Sequence, residues 1–519
     1  MNRRPNVLWL ISDQHNANCT GYAGHPNVKT PNLDRIASGG VTFTSAFANC
    51  PMCSPSRISF MTGQYVHTHR MFSNANSEYP TPNPDMLPAL FRRYGYQTAL
   101  VGKSHMVRRW DADGFEVIRY CDLNDALRGD PFTCHYFRYL DDRGLADYYE
   151  GGSGGMSKKG QESFVDGATP SVLPYEHSVE HWTGNETLEF LRSRDTSRPF
   201  FVTMSFERPH APILPAPEFF NMYDPEEVVL PDSAFDYLES GYAWWPEFMR
   251  QELSKSEGYR QTAILDLKWI RRRMASYYAL ITTIDLEIGR VLDKLNEMGE
   301  LENTIILYHS DHGDFAAEHG LVDKGLGMYE SIHRVPFLLS WPGGPEDAVC
   351  DEIVELVDCY TTLCALCDVP EPEGREGIDL VPVAMGEKPG KEAAFCELGP
   401  STSKSSAIRT RDLRLVYYSG MNEGELYDHR TDPGETKNLW NDPAYTETRL
   451  HLLERLMSFS LQYSVESGGK DELPKFQQWK YSPTELLRWR YWSVLKEAYG
   501  CENEWPPDPP ADRPPPAGC

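Results

Sequence analysis

No stretch of the 519-residue chain approaches the roughly 18 consecutive apolar residues of a membrane-spanning helix, so no membrane segment is expected. Positive charge is in short supply: 50 Lys and Arg stand against 76 Asp and Glu, a net charge of −26. That balance excludes a basic nucleic-acid binder and disfavours adhesion to anionic lipid. Cysteine is sparse, with 12 residues at irregular spacing, too few for a disulfide scaffold in a chain this long. No secretory leader is expected in the first residues, because the apolar run after Arg3 and Arg4 ends at Ser12 without a small-residue cleavage site. A cytoplasmic enzyme or binding protein that meets small molecules at a local site is the expectation. No internal repeat of about 20 to 50 residues is present.

What is present is a globular balance of 40% apolar and 24% charged residues, with 39 Gly and 39 Pro pointing to many loops. Residues 6–12 and 304–310 are short continuous apolar runs, the pattern of strands buried on both faces of a parallel sheet. Between 280 and 298 the apolar residues Leu280, Ile284, Ile288, Val291, Leu295 and Met298 recur at helical spacing, and Gly299 supplies a stop. The same helix-then-strand alternation occurs at 87–94 with 97–101 and at 187–191 with 200–205. These units predict an α/β fold, an α/β/α sandwich with a mostly parallel central sheet over 1–394. Short alternating strands and a helix near 447–463 predict a smaller C-terminal α+β subdomain over 395–504. The proline-rich residues 505–519 read as an extended tail, and a clasp on a second subunit would make the chain a homo-oligomer.

Two pairs of metal-capable residues follow the two clearest strands: Asp13-Gln14 and Asp311-His312. Ligands gather at the carboxyl ends of parallel strands, so these pairs can converge on one ion although they are remote in sequence. A third element is Cys50-Pro51-Met52-Cys53-Ser54-Pro55-Ser56-Arg57. With Ser54 as N-cap and Pro55 at the first helical position, Cys53 would sit just ahead of a helix N-terminus that favours anions, and Arg57 would add a fork of donors. Cys50 and Cys53 also form a CxxC that would suit a redox pair, and Cys364 with Cys367 forms another that would suit zinc. Against these, a redox pair has no need of Pro55 and Arg57. Cys359, Cys364 and Cys367 fit the interior of a helix.

The run Cys53-Ser54-Pro55-Ser56-Arg57 with Met61-Thr62-Gly63 resembles the signature of the type I, formylglycine-dependent sulfatases of the alkaline phosphatase superfamily. Gly102-Lys103-Ser104-His105, Pro209-His210-Ala211-Pro212 and Ser310-Asp311-His312-Gly313 resemble further family motifs. So do Lys324 with Met328-Tyr329-Glu330, Arg334-Val335-Pro336, Leu426-Tyr427-Asp428, Asp432-Pro433-Gly434-Glu435 and Asn438-Leu439. The likeness spans residues 6 to about 440.

The resemblance implies an alkaline phosphatase-like fold and hydrolysis of sulfate monoesters. A maturase would oxidise Cys53 to formylglycine, whose hydrate attacks sulfur and then expels sulfate as the aldehyde re-forms. Asp13, Gln14, Asp311, His312 and residue 53 would hold one divalent cation. Arg57, Lys103 and Lys324 would neutralise oxygens of the nucleophile and the sulfate. His105 would orient or deprotonate the nucleophile, and His210 would bind a sulfate oxygen or protonate the leaving group. Calcium is the expected ion, with manganese or zinc brought closer by an amide and an imidazole where many members carry a carboxylate and an amide. The Gln14 and His312 pattern resembles phosphonate monoester hydrolases and phosphodiesterases, the runner-up activity, whereas Lys103 and His105 resemble true sulfatases. A catalytically inactive binding relative, with Cys53 still a thiol, is the alternative from another class. Residues 120–149 and 481–505, with Trp489, Tyr491, Trp492 and Tyr499, are expected to select the alcohol, for instance an aryl or cationic one.

Overall fold

The computed structural model describes residues 4–74, 83, 85–106, 114–123, 134–149, 168–235, 245, 267–324, 327–399, 405–421 and 423–466, with side chains of the last helix described to 461. The tail 505–519, the aromatic segment 481–505 and residues 124–133 of the other specificity segment lie outside the described residues.

Eight strands form one sheet in the order β4-β3-β5-β1-β6-β7-β2-β8. They are β1 (Asn6–Asp13), β2 (Val41–Phe47), β3 (Gln97–Gly102), β4 (Val117–Tyr120), β5 (Phe200–Pro209), β6 (Thr304–Ser310), β7 (Phe337–Ser340) and β8 (Ala348–Glu355). All neighbours pair in parallel except β7, which runs antiparallel to both β6 and β2. Every residue of β1, β5 and β6 is buried, as expected of continuous apolar strands in the middle of a covered sheet.

The alternation of β1 divides its side chains between two cores. Leu8 and Leu10 join Leu33, Ile36, Leu188, Ile284, Ile288 and Val291 on one face, under the helices Pro31–Ser38, Val179–Ser193 and Leu267–Glu297. Val7, Trp9 and Ile11 join Ile58, Phe60, Leu87, Phe91 and Leu363 on the other, under the helices Cys53–Thr62, Leu87–Arg93 and Asp358–Leu366. The α/β/α sandwich read from the sequence is thus the observed architecture. Cys359 and Cys364 are buried within the helix Asp358–Leu366, with Cys367 as its cap, and all ten cysteines among the described residues are free.

Four antiparallel strands follow in the order β12-β11-β10-β9: β9 (Ala393–Leu398), β10 (Ser405–Thr410), β11 (Leu413–Tyr418) and β12 (Glu423–Asp428). The helix Thr446–Glu466 packs Leu452 and Leu456 against Ile408, Leu415 and Leu426 of this sheet.

Candidate active site

Register builds the site. Ser12 of β1 lies opposite Ser310 of β6, and Asp13 lies opposite Pro209 of β5, so Asp13, Asp311 and His210 leave the sheet along one edge. Gly102 of β3 lies opposite Ser205 of β5, which brings Lys103 to the same edge. Only glycine serves at 102: its φ is +100°, and an added Cβ would stand 1.8 Å from the Ser205 carbonyl oxygen.

The helix after β2 begins two residues earlier than the sequence suggests. It runs Cys53–Thr62 with Met52 as N-cap, and no side chain caps it, so Ser54 is not the N-cap and Pro55 is the third helical residue. The reason is physical: the first-turn N–H groups have no helical acceptor, so proline is accepted across that turn and does not mark its first residue. Cys53 therefore occupies the first helical position, and Gly63, in the left-handed region at φ 65°, closes the helix on the Ser59 carbonyl.

The donor atoms of Asp13, Cys53, Asp311 and His312 all lie within 4.8 Å of one another, and all four residues are fully buried. Cys53 Sγ is 3.2 Å from His312 Nε2 and 3.7 Å from Asp13 Oδ1. His312 Nδ1 faces the Gly313 carbonyl at 2.9 Å, where it donates, and this turns Nε2 into the cluster. Both aspartates commit Oδ2 to cations. Asp13 Oδ2 accepts from Arg57 at 3.2 Å and meets Lys103 Nζ at 2.9 Å, while Asp311 Oδ2 accepts from Arg57 Nε at 2.8 Å. Arg57 also donates to Ser205 Oγ and the Lys103 carbonyl. Two carboxylates, an imidazole nitrogen and the residue-53 side chain in one buried cup are a donor set that fits a divalent cation.

Gln14 lies beside this cup, its backbone N–H donating to Asp311 Oδ1 at 3.1 Å and its Oε1 accepting from Lys324 Nζ at 2.6 Å. His105, with φ 53°, is within hydrogen-bonding reach of Cys53, and its buried Nδ1 has no partner among the described residues. His210 donates from Nδ1 to the Ala211 carbonyl at 2.6 Å and adds to the positive potential on Asp13.

Charge at this site outweighs desolvation. Burial alone would raise the Cys53 thiol, but Lys324, His312 and Lys103 hold it well below the ordinary thiol range. Burial would lower Lys103, yet Asp13 and Glu207 push its ammonium well up. Burial would lower His105, and Asp122 raises it. Asp13 is kept ionised despite burial and the nearby Cys53 by Lys103, His210 and Arg57.

All ten candidate residues read from the sequence thus fall at one sheet edge. Sequence reasoning misses the carboxylates around them: Glu207, 3.2 Å from Lys103 Nζ, and Asp314 and Asp323, at 2.6 and 2.8 Å from the Gln14 amide nitrogen. Asp122 is a further omission. Their only sequence signal is proximity, three residues from His210 for Glu207, three from Asp311 for Asp314, and next to Lys324 for Asp323.

The Sulfatase family model matches residues 5–369, and the model described as N-sulphoglucosamine sulphohydrolase, C-terminal, matches 317–462. An arylsulfatase of Clostridium perfringens is 30% identical over 485 residues, covering 90% of this chain and 96% of that protein. A multifunctional alkaline phosphatase superfamily protein of Trinickia caryophylli is 27% identical over 502 residues, covering 89% and 96%. The crystal structure of the phosphonate monoester hydrolase of Agrobacterium radiobacter superposes with a TM-score of 0.70 at 23% identity, covering 89% of this chain and 96% of that one. With a family match over most of its length and a fold to go with it, the chain belongs to the sulfatase family, the sulfuric ester hydrolases of the alkaline phosphatase superfamily.

Proposed function

We propose that this enzyme hydrolyses sulfate monoesters through a formylglycine made from Cys53 by a maturase, releasing sulfate and an alcohol or phenol. The observation that carries the reading is the position of residue 53. It is the first residue of a buried helix, inside a four-donor cup and next to Arg57, Lys103 and Lys324. Asp13, Gln14, Asp311, His312 and residue 53 would hold the divalent cation, calcium in first place, with manganese or zinc as alternatives. When bound, the ion supplies Lewis acidity to the nucleophile and to a sulfate oxygen.

The chain's own groups then have distinct tasks. Lys103 and Lys324 bind and neutralise the sulfate oxygens, and Arg57 fixes both aspartates so that their remaining oxygens stay directed into the cup. His105 takes the proton of the attacking hydroxyl at its Nε2, and His210 gives one to the leaving oxygen from its Nε2. Burial of the whole cluster excludes competing water and strengthens each of these charges.

A second reading, phosphonate monoester or phosphodiester hydrolysis, is favoured by Gln14 and His312 and by the likeness to the multifunctional Trinickia protein. A turnover panel of aryl sulfates, choline sulfate, sugar sulfates and phenyl phosphonate decides between them. The highest kcat/KM is expected for a sulfate ester. Preference for phenyl phosphonate would give the second reading, and no turnover by formylglycine-bearing protein on any of them would leave a binding relative.

A further inference from the structure

Gln14 is completely buried, and its side-chain amide is used up at both ends. Nε2 donates to Asp314 Oδ2 at 2.6 Å and to Asp323 Oδ1 at 2.8 Å, so both amide protons are taken. Oε1 accepts from Lys324 Nζ at 2.6 Å. The sense of the amide is fixed by chemistry, because carboxylates can only accept and an ammonium can only donate. The Asp314 carboxylate and the Asp323 backbone are themselves held: Asp314 Oδ1 accepts from Ala316 N at 2.7 Å and from Asp323 N at 3.2 Å, and the Asp323 carbonyl accepts from Phe315 N at 3.0 Å.

Backbone conformation points the same way. Gln14 and Asp323, the two ends of one hydrogen bond, both lie in the left-handed region, at φ 64° and 70°. That region costs a non-glycine residue on the order of 1 kcal/mol, and here it is occupied twice within one contact. A carboxylate at position 14 would face two others at under 3 Å, a grouping that cannot be fully ionised.

We propose that Asp314 and Asp323 are positioning residues for the cation site. They capture the Gln14 amide, fix which way its oxygen points, and carry just outside the cup the negative charge that a carboxylate at position 14 would carry inside it. The inference rests on the reading of Gln14 as a cation ligand. It makes Gln14 an obligatory amide in this chain, against the simpler expectation that a carboxylate there would bind a hard cation more tightly.

The test is isothermal titration of calcium and of manganese ions into chelator-treated full-length protein, independent of any substrate. Gln14→Glu, which keeps the length of the side chain, is expected to weaken both ions about tenfold or more. Adding Asp323→Asn to it is expected to restore affinity, because the new amide donates to Glu at position 14. If Gln14→Glu binds as tightly as the wild type or more tightly, the inference is overturned. Should Gln14→Glu fail to fold, Asp323→Ala and Asp323→Asn decide: alanine, which removes the acceptor, is expected to weaken binding about tenfold, and asparagine, which keeps an acceptor oxygen, less. Equal effects of the two would overturn the proposal. Failure of the wild-type chain to bind either ion would instead remove the cation reading beneath it.

Discussion

Among the described residues two clusters, one fully buried and one partly, bring carboxylates and histidine within metal-binding distance, and they are built for different ends. One is the cup of Asp13, Cys53, Asp311 and His312; the other is Glu330, His429 and Glu435, where the main domain meets the C-terminal sheet. In the cup, Arg57 and Lys103 take Oδ2 of both aspartates, Asp311 Oδ1 accepts from the backbone N–H groups of Gln14 and His312, and Asp13 Oδ1 has, among the described residues, Cys53 and His312 beside it at 3.7 and 3.8 Å. At the junction every carboxylate oxygen already has a partner. Glu330 gives both oxygens to Arg409, at 2.7 and 3.3 Å. Glu435 gives Oε1 to Arg414 and His429, at 2.6 and 2.8 Å, and Oε2 to the Glu330 backbone N–H. Proximity of donors therefore does not make a cation site; what decides it is whether guanidinium groups have already filled the inward lone pairs.

This contrast can be broken at either end, and the largest effect is expected in the cup. Cys53→Ala should lower kcat by at least about a thousandfold while leaving the melting temperature nearly unchanged, since a nucleophile is lost and the buried Lys103 and Lys324 keep Asp13, Glu207 and Asp323 as counter-charges. Retained turnover in that variant would sink the assignment. Lys103→Ala should lower kcat/KM by about a hundredfold to a thousandfold, the usual consequence of removing one preorganised oxyanion partner. Measuring both parameters separates lost sulfate binding from lost transition-state stabilisation.

At the junction the expected loss is of stability, not of chemistry. Glu435→Ala leaves the buried Arg414 without its nearest counter-charge and should cost about 3 kcal/mol in urea unfolding, with little change in turnover per folded molecule. An equal loss of kcat there would erase the distinction drawn between the two clusters. The smallest effect is a pH dependence. Burial would raise the Glu330 carboxyl, but the Arg409 guanidinium, with His429 and Arg334, holds it down to about 2 from 4.5. A depressed carboxyl stabilises the fold above its unfolded pKa, so this contribution should be complete above pH 4.5 and fade as pH falls toward 2. In Glu330→Gln that part of the acid limb should flatten, and an unchanged limb would exclude the pair as its source.

How much of this is legible in the sequence follows the range of each interaction. β1, β5 and β6 announce themselves as apolar runs because both their faces are covered, and Asp13 and Asp311 are legible because each directly follows such a run. The long helix Leu267–Glu297 is legible in its second half from spacing alone. Antiparallel β7 is not, being a four-residue strand whose direction is set by pairing with β6 and β2 and not by its own sequence. The start of the Cys53 helix is displaced by two residues from its sequence signal because proline is tolerated throughout a first turn. Asp314 and Asp323 are invisible as a pair, since they acquire meaning only when Gln14 arrives from 300 residues away. Arg414 and Glu435 resemble solvent-facing charges in a strand and a turn until β11 and the segment after β12 are folded against Tyr329 and Tyr427.

The most direct measurement is the mass of the tryptic peptide carrying Cys53, taken from protein made in a host with an active maturase and assayed in parallel for sulfate release. The expected peptide is lighter than the thiol form by the mass of hydrogen sulfide less that of one oxygen atom, with turnover rising in proportion to its fraction. A peptide at the full cysteine mass in protein that still releases sulfate would contradict it.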